Sequence, residues 1–401
     1  MAKRKNWNDS SKNKKTIGVI TFHFVYNCGA LLQTFALQTY LKRVGYDVGI
    51  INYVPWYHFN KYSPCVNLIY IGLKEAKLYK GVIRKIYHFI KGFLCDAANW
   101  QNRYKDKIVQ HKKFMYFRKK YFNETKVYRN LKSLQKRPPI ADIYIAGSDQ
   151  IWNKRITDRK FDPAYFLKFG NGEVVKVSYA AGMKMDEFDE EADYLKQILN
   201  DFACISLREK EYFSKVNDIL PQIKVRMDLD PTLLLDRKVY DAIATEVEDK
   251  EPYIVTYTMP SYSQRKTYQY ANKLSEKTGL KILDICGDPQ YLNKTIPDSK
   301  VVDPSEFLGY IKKADFVLTN SYHGTIFSII YNKRFIAFPA SETGNRLVDL
   351  LEELGLDNRL CYSTNIPVEE YTDRINYDLV EIKLDEYKKK SQDYLKSLKN
   401  L

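Results

Sequence analysis

Histidine is scarce in this chain, with five among 401 residues. One of them, His323, lies in the stretch 320–328, NSYHGTIFS, directly after the apolar run 315–319. The run has strand length and the residues behind it are apolar. His323 therefore falls in the first turn of a helix that Asn320 or Ser321 can cap. The free N–H groups and positive dipole end of such a turn form an anion site. An imidazole beside a bound anion can donate a hydrogen bond or pass a proton. The bland alternative is a surface histidine in a helix cap. Arg208, in 205–210 ISLREK, also follows a strand and precedes a helix. A guanidinium there opposes the helix dipole unless an anion or carboxylate is near, and its fork suits a carboxylate or phosphate. The bland alternative is an ion pair with Glu209 or Glu211.

Three further stretches carry polar groups where strands end. In 147–153, GSDQIWN, the side chains of Ser148, Asp149, Gln150 and Asn153 offer hydrogen bonds to a sugar, and Trp152 offers a face for its ring. The same residues could instead form an Asx-type turn over a buried Trp. The stretch 27–33, NCGALLQ, opens the first helix. It lacks the dinucleotide fingerprint, but Asn27 and Gly29 can bring N–H groups to a cleft, while Cys28 reads as a small buried thiol. Asp228 and Asp230 form a short DxD, yet Pro231 and the apolar residues after it indicate a strand end and turn, so no divalent metal is expected. HExxH, P-loop and GxSxG motifs are absent from the sequence.

The elements that must position these groups alternate between strand and helix. The run 16–22, the helical pattern at Ala30, Leu31, Phe35, Leu37 and Leu41, and the run 47–53 make a βαβ unit. Strands are expected at 141–146, 174–180, 203–206 and 224–228, with a helix at 187–200. A second series begins after a polar linker at 237–251, with strands at 253–259, 281–286, 315–319 and 335–338. Asp303, Pro304 and Glu306 spell a capping box with proline at the first helical position. A further helix is expected at 346–353. The domain reading is a basic disordered leader at 1–15, one α/β domain at 16–236, another at 252–362, and a charged helical tail at 363–401. Paired doubly wound halves bind ligands where the strand ends face one another.

The formal net charge is +15. Segment 57–139 holds 20 Lys and Arg against 4 Asp and Glu, a local +16, so it accounts for the whole excess. It reads as a basic, mostly helical insertion in the first domain. Within it, 77–94 sets Leu78, Val82, Ile86, Phe89 and Phe93 among Lys77, Lys80, Arg84, Lys85 and Lys91. This is either a helix packed on its domain or a peripheral contact with an anionic membrane face. No nucleic-acid module accompanies the charge, and no nucleic-acid partner is expected. The six cysteines are scattered without a CxxC pair, which suits the cytoplasm. The basic, polar N-terminus does not read as a signal peptide, and the sequence has no apolar run of membrane-spanning length.

The ordered set NCGALLQ (27–33), GSDQIWN (147–153), SLRE (206–209), DPTLLL (230–235) and NSYHGT (320–325) resembles the polysaccharide pyruvyl transferase family. That resemblance implies two Rossmann-like domains in a GT-B-like arrangement. It implies phosphoenolpyruvate as donor substrate, no cofactor, and a saccharide hydroxyl pair as acceptor. The charge of segment 57–139 adds the expectation of an anionic, polyprenyl-diphosphate-linked acceptor. His323 and Arg208 carry over as catalytic candidates. Ser321, Gly324, Thr325, Asn27 and Gly29 are donor-binding candidates, and Ser148, Asp149, Gln150, Trp152 and Asn153 acceptor-binding ones. The expected location is cytoplasmic, at the inner membrane face if the basic segment engages lipid. A nucleotide-sugar-dependent GT-B glycosyltransferase and a non-catalytic saccharide-binding protein are the alternatives.

Overall fold

A computed structural model describes residues 14–62, 86–87, 90–91, 100–185, 188–248, 251–293, 295–340 and 346–401. The leader up to residue 13 lies outside the described residues, as does most of 77–94. Ile86, Tyr87 and Ile90 are described and exposed.

The first βαβ unit is β1 (Thr16–Ile20), α1 (Cys28–Arg43) and β2 (Asp47–Ile50), with β2 parallel to β1. Helices α2 (Trp56–Tyr62), α3 (Trp100–Tyr121) and α4 (Leu131–Lys136) follow. Then come β3 (Ile143–Ala146), β4 (Asp149–Asn153), β5 (Val175–Ser178), β6 (Ala181–Lys184), α5 (Phe188–Leu199), β7 (Cys204–Leu207), α6 (Glu211–Ile219), β8 (Lys224–Met227) and α7 (Arg237–Asp241). These strands form one parallel sheet in the order β2-β1-β3-β5-β7-β6-β4, with β8 also on β7. The expected strand 174–180 is broken: β5 pairs with β3, and β6 resumes after Tyr179 and Ala180 to pair with β4. Gly147 stands at the matching break, at φ +121°, where a Cβ would overlap the Tyr179 carbonyl. Stretch 149–153 is thus a strand rather than a loop. Its middle residues are buried, so the sheet claims them.

The second half is β9 (Tyr253–Tyr257), α8 (Tyr262–Thr278), β10 (Lys281–Cys286), β11 (Ser299–Val301), α9 (Pro304–Lys313), β12 (Phe316–Thr319), α10 (Tyr322–Ile330), β13 (Arg334–Ala337), α11 (Arg346–Leu354) and α12 (Tyr377–Ser397). Its parallel sheet has the order β11-β10-β9-β12-β13. The Asp303–Glu306 capping box opens α9 as the sequence leads one to expect. The whole is an α/β fold with two parallel sheets, one in each half.

Two elements tie the halves together. In α3, Lys113 pairs with Glu306 at 2.7 Å and Gln110 donates to the Gly287 carbonyl, so part of the basic insertion bridges to the second domain. At the other end the charged tail folds back. In α12, Tyr394 donates to the Ser178 carbonyl at 3.0 Å, Ser391 accepts from the Leu229 N–H at 3.0 Å, and the Leu395 carbonyl accepts from Tyr46 at 2.9 Å. Val380, Tyr394 and Leu395 are buried, which is why a helix charged on its outer face stays docked. No described helix is long and apolar enough to cross a membrane.

Candidate active site

Two helix N-termini, one from each half, meet at Gly29 and His323. Asn27 caps α1, its side chain accepting from the Ala30 N–H at 3.1 Å, and Ser321 caps α10, accepting from the Gly324 N–H at 3.4 Å. Gly29 lies directly against His323: a Cβ there would overlap the imidazole Cγ and Nδ1. The loop after β12 is held by Asn320, whose side chain accepts from the Met259 N–H at 2.6 Å and donates to the Met259 carbonyl at 2.8 Å. Gly324 packs on Thr319, and the Thr325 hydroxyl donates to the Ser321 carbonyl at 3.2 Å. Those two residues shape the turn; their side-chain positions are occupied by it.

Arg208 leaves the end of β7 and is buried. Its Nη1 donates to Asp230 Oδ2 at 2.9 Å. The same carboxylate oxygen lies 3.4 Å from His323 Nε2, so Asp230 links the two candidates from opposite halves. Asp230 Oδ1 accepts from both the backbone and the hydroxyl of Thr232, at 3.1 and 2.7 Å. Burial would raise the Asp230 carboxyl, but His323, Arg208 and the Thr232 hydroxyl outweigh it and hold it well below the usual carboxylate range. The rest of Arg208 is less committed. Its Nε stands 3.6 Å from Glu209 and its Nη2 3.8 Å from Asp149, both beyond hydrogen-bond reach. Among the described residues Arg208 Nε and Nη2 are shielded from solvent without a hydrogen-bond partner, and His323 Nε2 has only the 3.4 Å approach of Asp230. Buried donors rarely go unmet, so the two guanidinium nitrogens mark room for an acceptor the protein does not supply. Glu209 Oε2 instead accepts from the Met183 N–H at 3.0 Å. Burial pushes that carboxyl above its ordinary value, against the pull of Arg208. Gly182 permits this packing, since a Cβ would sit 2.8 Å from Arg208 Nη2.

Because folding lowers the Asp230 carboxyl, its stabilising contribution is whole above the ordinary carboxylate range. It is lost as pH falls through that range toward the lower folded value. Acid titration of the melting temperature should show a fall across that window, and Asp230→Asn should start lower and flatten it. An unchanged slope in the variant would show that Asp230 is not so coupled.

The remaining candidates divide. Trp152 is fully buried, stacks on Phe166 at 5.1 Å, and donates its indole N–H to the Tyr165 carbonyl at 3.0 Å. Both the ring and its N–H serve the core, which corrects the expectation that it faces a sugar. Ser148 donates to the Ala180 carbonyl at 3.1 Å, and Gln150 accepts from Asn153 at 3.1 Å, so these polar groups brace the strand break. Asp149, at φ 72°, alone among the five directs a carboxylate toward Arg208. Cys28 is buried, and burial with nearby Asp303 pushes its thiol well up, fitting an inert packing role. Asp228 accepts from Ser206 at 2.6 Å and pairs with Arg226 at 2.6 Å. Each carboxylate of the DxD therefore answers an arginine. Residues not anticipated at this centre are Asp230 as the link, Tyr322 and Arg346, while Glu209 stands beside Arg208 as the ion-pair alternative has it. Both Arg208 and Arg346 lie over the Tyr322 ring, at 5.1 and 4.8 Å from its centroid.

Among known families, the model of polysaccharide pyruvyl transferase matches residues 27–342, most of the chain. The chain belongs to this family. It is accordingly a transferase of polysaccharide biosynthesis, and Arg208, Asp230 and His323 all lie inside the matched span. No curated protein matches the chain. Similar solved structures include the glycosyltransferase SnogD from Streptomyces nogalater, at 10% identity and TM-score 0.41 over 96% of this chain and 98% of that one. An α-glucosyltransferase in complex with UDP has 11% identity and TM-score 0.46 over 95% of each chain. UDP-N-acetylglucosamine 2-epimerase from Rickettsia bellii has 10% identity and TM-score 0.37 over 96% of this chain and 98% of that one.

The contact between Gly29 and His323 is testable. In an ordinary helix Gly→Ala is stabilising, but here the methyl must displace the imidazole. Gly29→Ala should keep the fold and lower activity by roughly tenfold to a hundredfold, because small misplacements of a catalytic group are that costly. Full activity in the variant would separate His323 from the chemistry.

Proposed function

We propose that this family member transfers the pyruvyl group of phosphoenolpyruvate onto two hydroxyls of a sugar in a surface-polysaccharide precursor. The observation that carries the reading is the buried Arg208–Asp230–His323 chain, with two guanidinium nitrogens of Arg208 unmet beside it among the described residues. Phosphoenolpyruvate has a carboxylate and a phosphate to meet them. Arg208 binds one anionic group, and the N-terminal turn of α10 favours negative charge beside it. His323 passes a proton to the enol methylene. The adjacent carbon becomes cationic, a sugar hydroxyl adds and returns its proton to His323, and the C–O bond to phosphate breaks. A second hydroxyl of the same sugar then closes the ketal, its proton leaving with the phosphate, so one donor and one diol give one ketal and one phosphate. Asp230 orients the imidazole and stabilises its charged form, as a buried carboxylate does for a general acid or base. The reaction as written draws on no metal or cofactor. We place it in the cytoplasm, on an acceptor carried by polyprenyl diphosphate, toward which the +16 of segment 57–139 would attract the protein.

The test is phosphate release from phosphoenolpyruvate over a panel of lipid-linked and soluble glycans, with EDTA present. Acceptor-dependent release, with a ketal found on the glycan by mass spectrometry, is the expected result. No release with any acceptor, together with nucleotide release from a nucleotide sugar, would replace this reading with a glycosyltransferase.

A further inference from the structure

Helix α3 of the basic insertion packs one side on the protein and leaves the other uncovered. Gln110, Phe114 and Phe117 are buried on its inner side. Its exposed side chains, among the described residues, are Asp106, Val109, Lys112, Tyr116, Lys119 and Lys120. A helix turns about 100° per residue, so positions seven apart lie nearly in line. Val109 and Tyr116 are such a pair and form an apolar ridge, 51% and 63% exposed. Lys112 and Lys119 flank the ridge on one side, Lys113 and Lys120 on the other. Glu306 takes Lys113, but Lys112, Lys119 and Lys120 have no ion pair among the described residues. Lys120 lies over the Tyr116 and Tyr121 rings, at 5.7 and 5.1 Å from their centroids. The face therefore sets three lysines against one acid, around a ridge that no described part of the chain covers. Ile86, Tyr87 and Ile90 of the same insertion are exposed as well.

We propose that this face of α3 rests on an anionic bilayer, with Val109 and Tyr116 in the interfacial layer and Lys112, Lys119 and Lys120 on lipid phosphates. The inference deepens the reading of a membrane-held acceptor and rests on it for its purpose. An apolar ridge between lysines is the pattern of a helix that lies in a membrane surface. Tyrosine favours the headgroup level, and lysine stems reach past apolar surface to place their charge there. A second copy of this chain would set lysines against lysines. A nucleic acid would engage the lysines through its phosphates and leave Val109 without a partner. The helix is also joined to the centre. Gln110 donates to the Gly287 carbonyl, and a Cβ on Gly287 would meet Phe114 of α3 and the Tyr26 carbonyl just ahead of α1. Gly29 of α1 lies against His323. A bilayer along α3 thus keeps its lipid-linked sugars beside the reacting groups.

The experiment is co-sedimentation of the full chain with vesicles of phosphatidylcholine alone, and of phosphatidylcholine mixed equally with phosphatidylglycerol, over a series of salt concentrations. Wild type should bind the anionic vesicles, bind the neutral ones far less, and lose binding as salt rises. Lys112→Gln, Lys119→Gln and Lys120→Gln combined should weaken anionic binding about a hundredfold, at roughly fivefold for each lysine near such a surface. Val109→Ser with Tyr116→Ser should weaken it about tenfold and keep the salt dependence of what remains. All these side chains are exposed, so circular dichroism should show both variants folded. Equal binding to the two kinds of vesicle, or to neither, would overturn the proposal. So would anionic binding that the triple variant retains in full. Binding to a single-stranded oligonucleotide in place of vesicles would overturn it in favour of a nucleic acid. Vesicle binding that the triple variant loses, without phosphate release on any lipid-linked glycan, would uphold the face and remove the acceptor reading instead.

Discussion

His323→Ala is expected to lower turnover by about 10²–10⁴-fold, the usual contribution of a positioned general acid or base. The fold should survive. Asp230 keeps its bonds to Arg208 and Thr232 without the imidazole, so no carboxylate is stranded. The capping of α10 uses Ser321, not His323. Phosphate release under saturating donor and acceptor measures the loss, and circular dichroism checks the fold. Donor affinity should change much less than turnover, because His323 is asked to move a proton while Arg208 holds the anion. A folded variant with near-wild-type turnover would remove His323 from the chemistry.

Arg208→Ala should act on both stability and binding. Losing one partner of a buried ion pair typically costs about 3–5 kcal/mol, since the other charge is left uncompensated. Here Asp230 would retain only His323 as a cationic neighbour. Loss of the donor contact should raise the KM for phosphoenolpyruvate about tenfold to a hundredfold, with the acceptor KM little changed. The two effects are separable. Phosphoenolpyruvate should raise the melting temperature of the wild type by mass action and fail to do so in the variant. Arg208→Lys should recover part of the stability, as a point charge can still face Asp230. It should recover little donor affinity, because it cannot reproduce a fork. Equal thermal stabilisation by phosphoenolpyruvate in wild type and both variants would exclude Arg208 as the donor fork.

These expectations differ in how much of their basis is local. The strand before Ser321, the cap at Ser321 and the capping box at Asp303 are properties of short stretches. Periodicity and side-chain oxygen at a helix start specify them without knowledge of the rest of the chain. The alternation of strands and helices, repeated after a polar linker, likewise leads to two parallel sheets. The boundaries of Lys281–Cys286 agree residue for residue, because Gly279 and Gly287 flank a mostly apolar run of strand length. The polar stretch 147–153 misled for an equally physical reason. Polar residues after a strand suggest a loop, but Gly147 at positive φ lets the chain resume as β4, and Trp152 is then drawn into the core. Composition cannot distinguish a tryptophan awaiting a sugar from one stacked on Phe166.

By itself, the sequence determined the fold class, the placing of His323 and Arg208 at strand-to-helix junctions, and the resemblance to a family whose model spans 27–342. Each of these depends on residues within a few positions of one another, or on their order. Tertiary structure alone decided that His323 and Arg208, 115 positions apart in the sequence, share one oxygen of Asp230. It alone placed Arg346 on the Tyr322 ring and returned the charged tail to the first sheet. Such contacts join distant segments, and which donors are left unmet depends on every group packed around them. Local pattern carries no record of that.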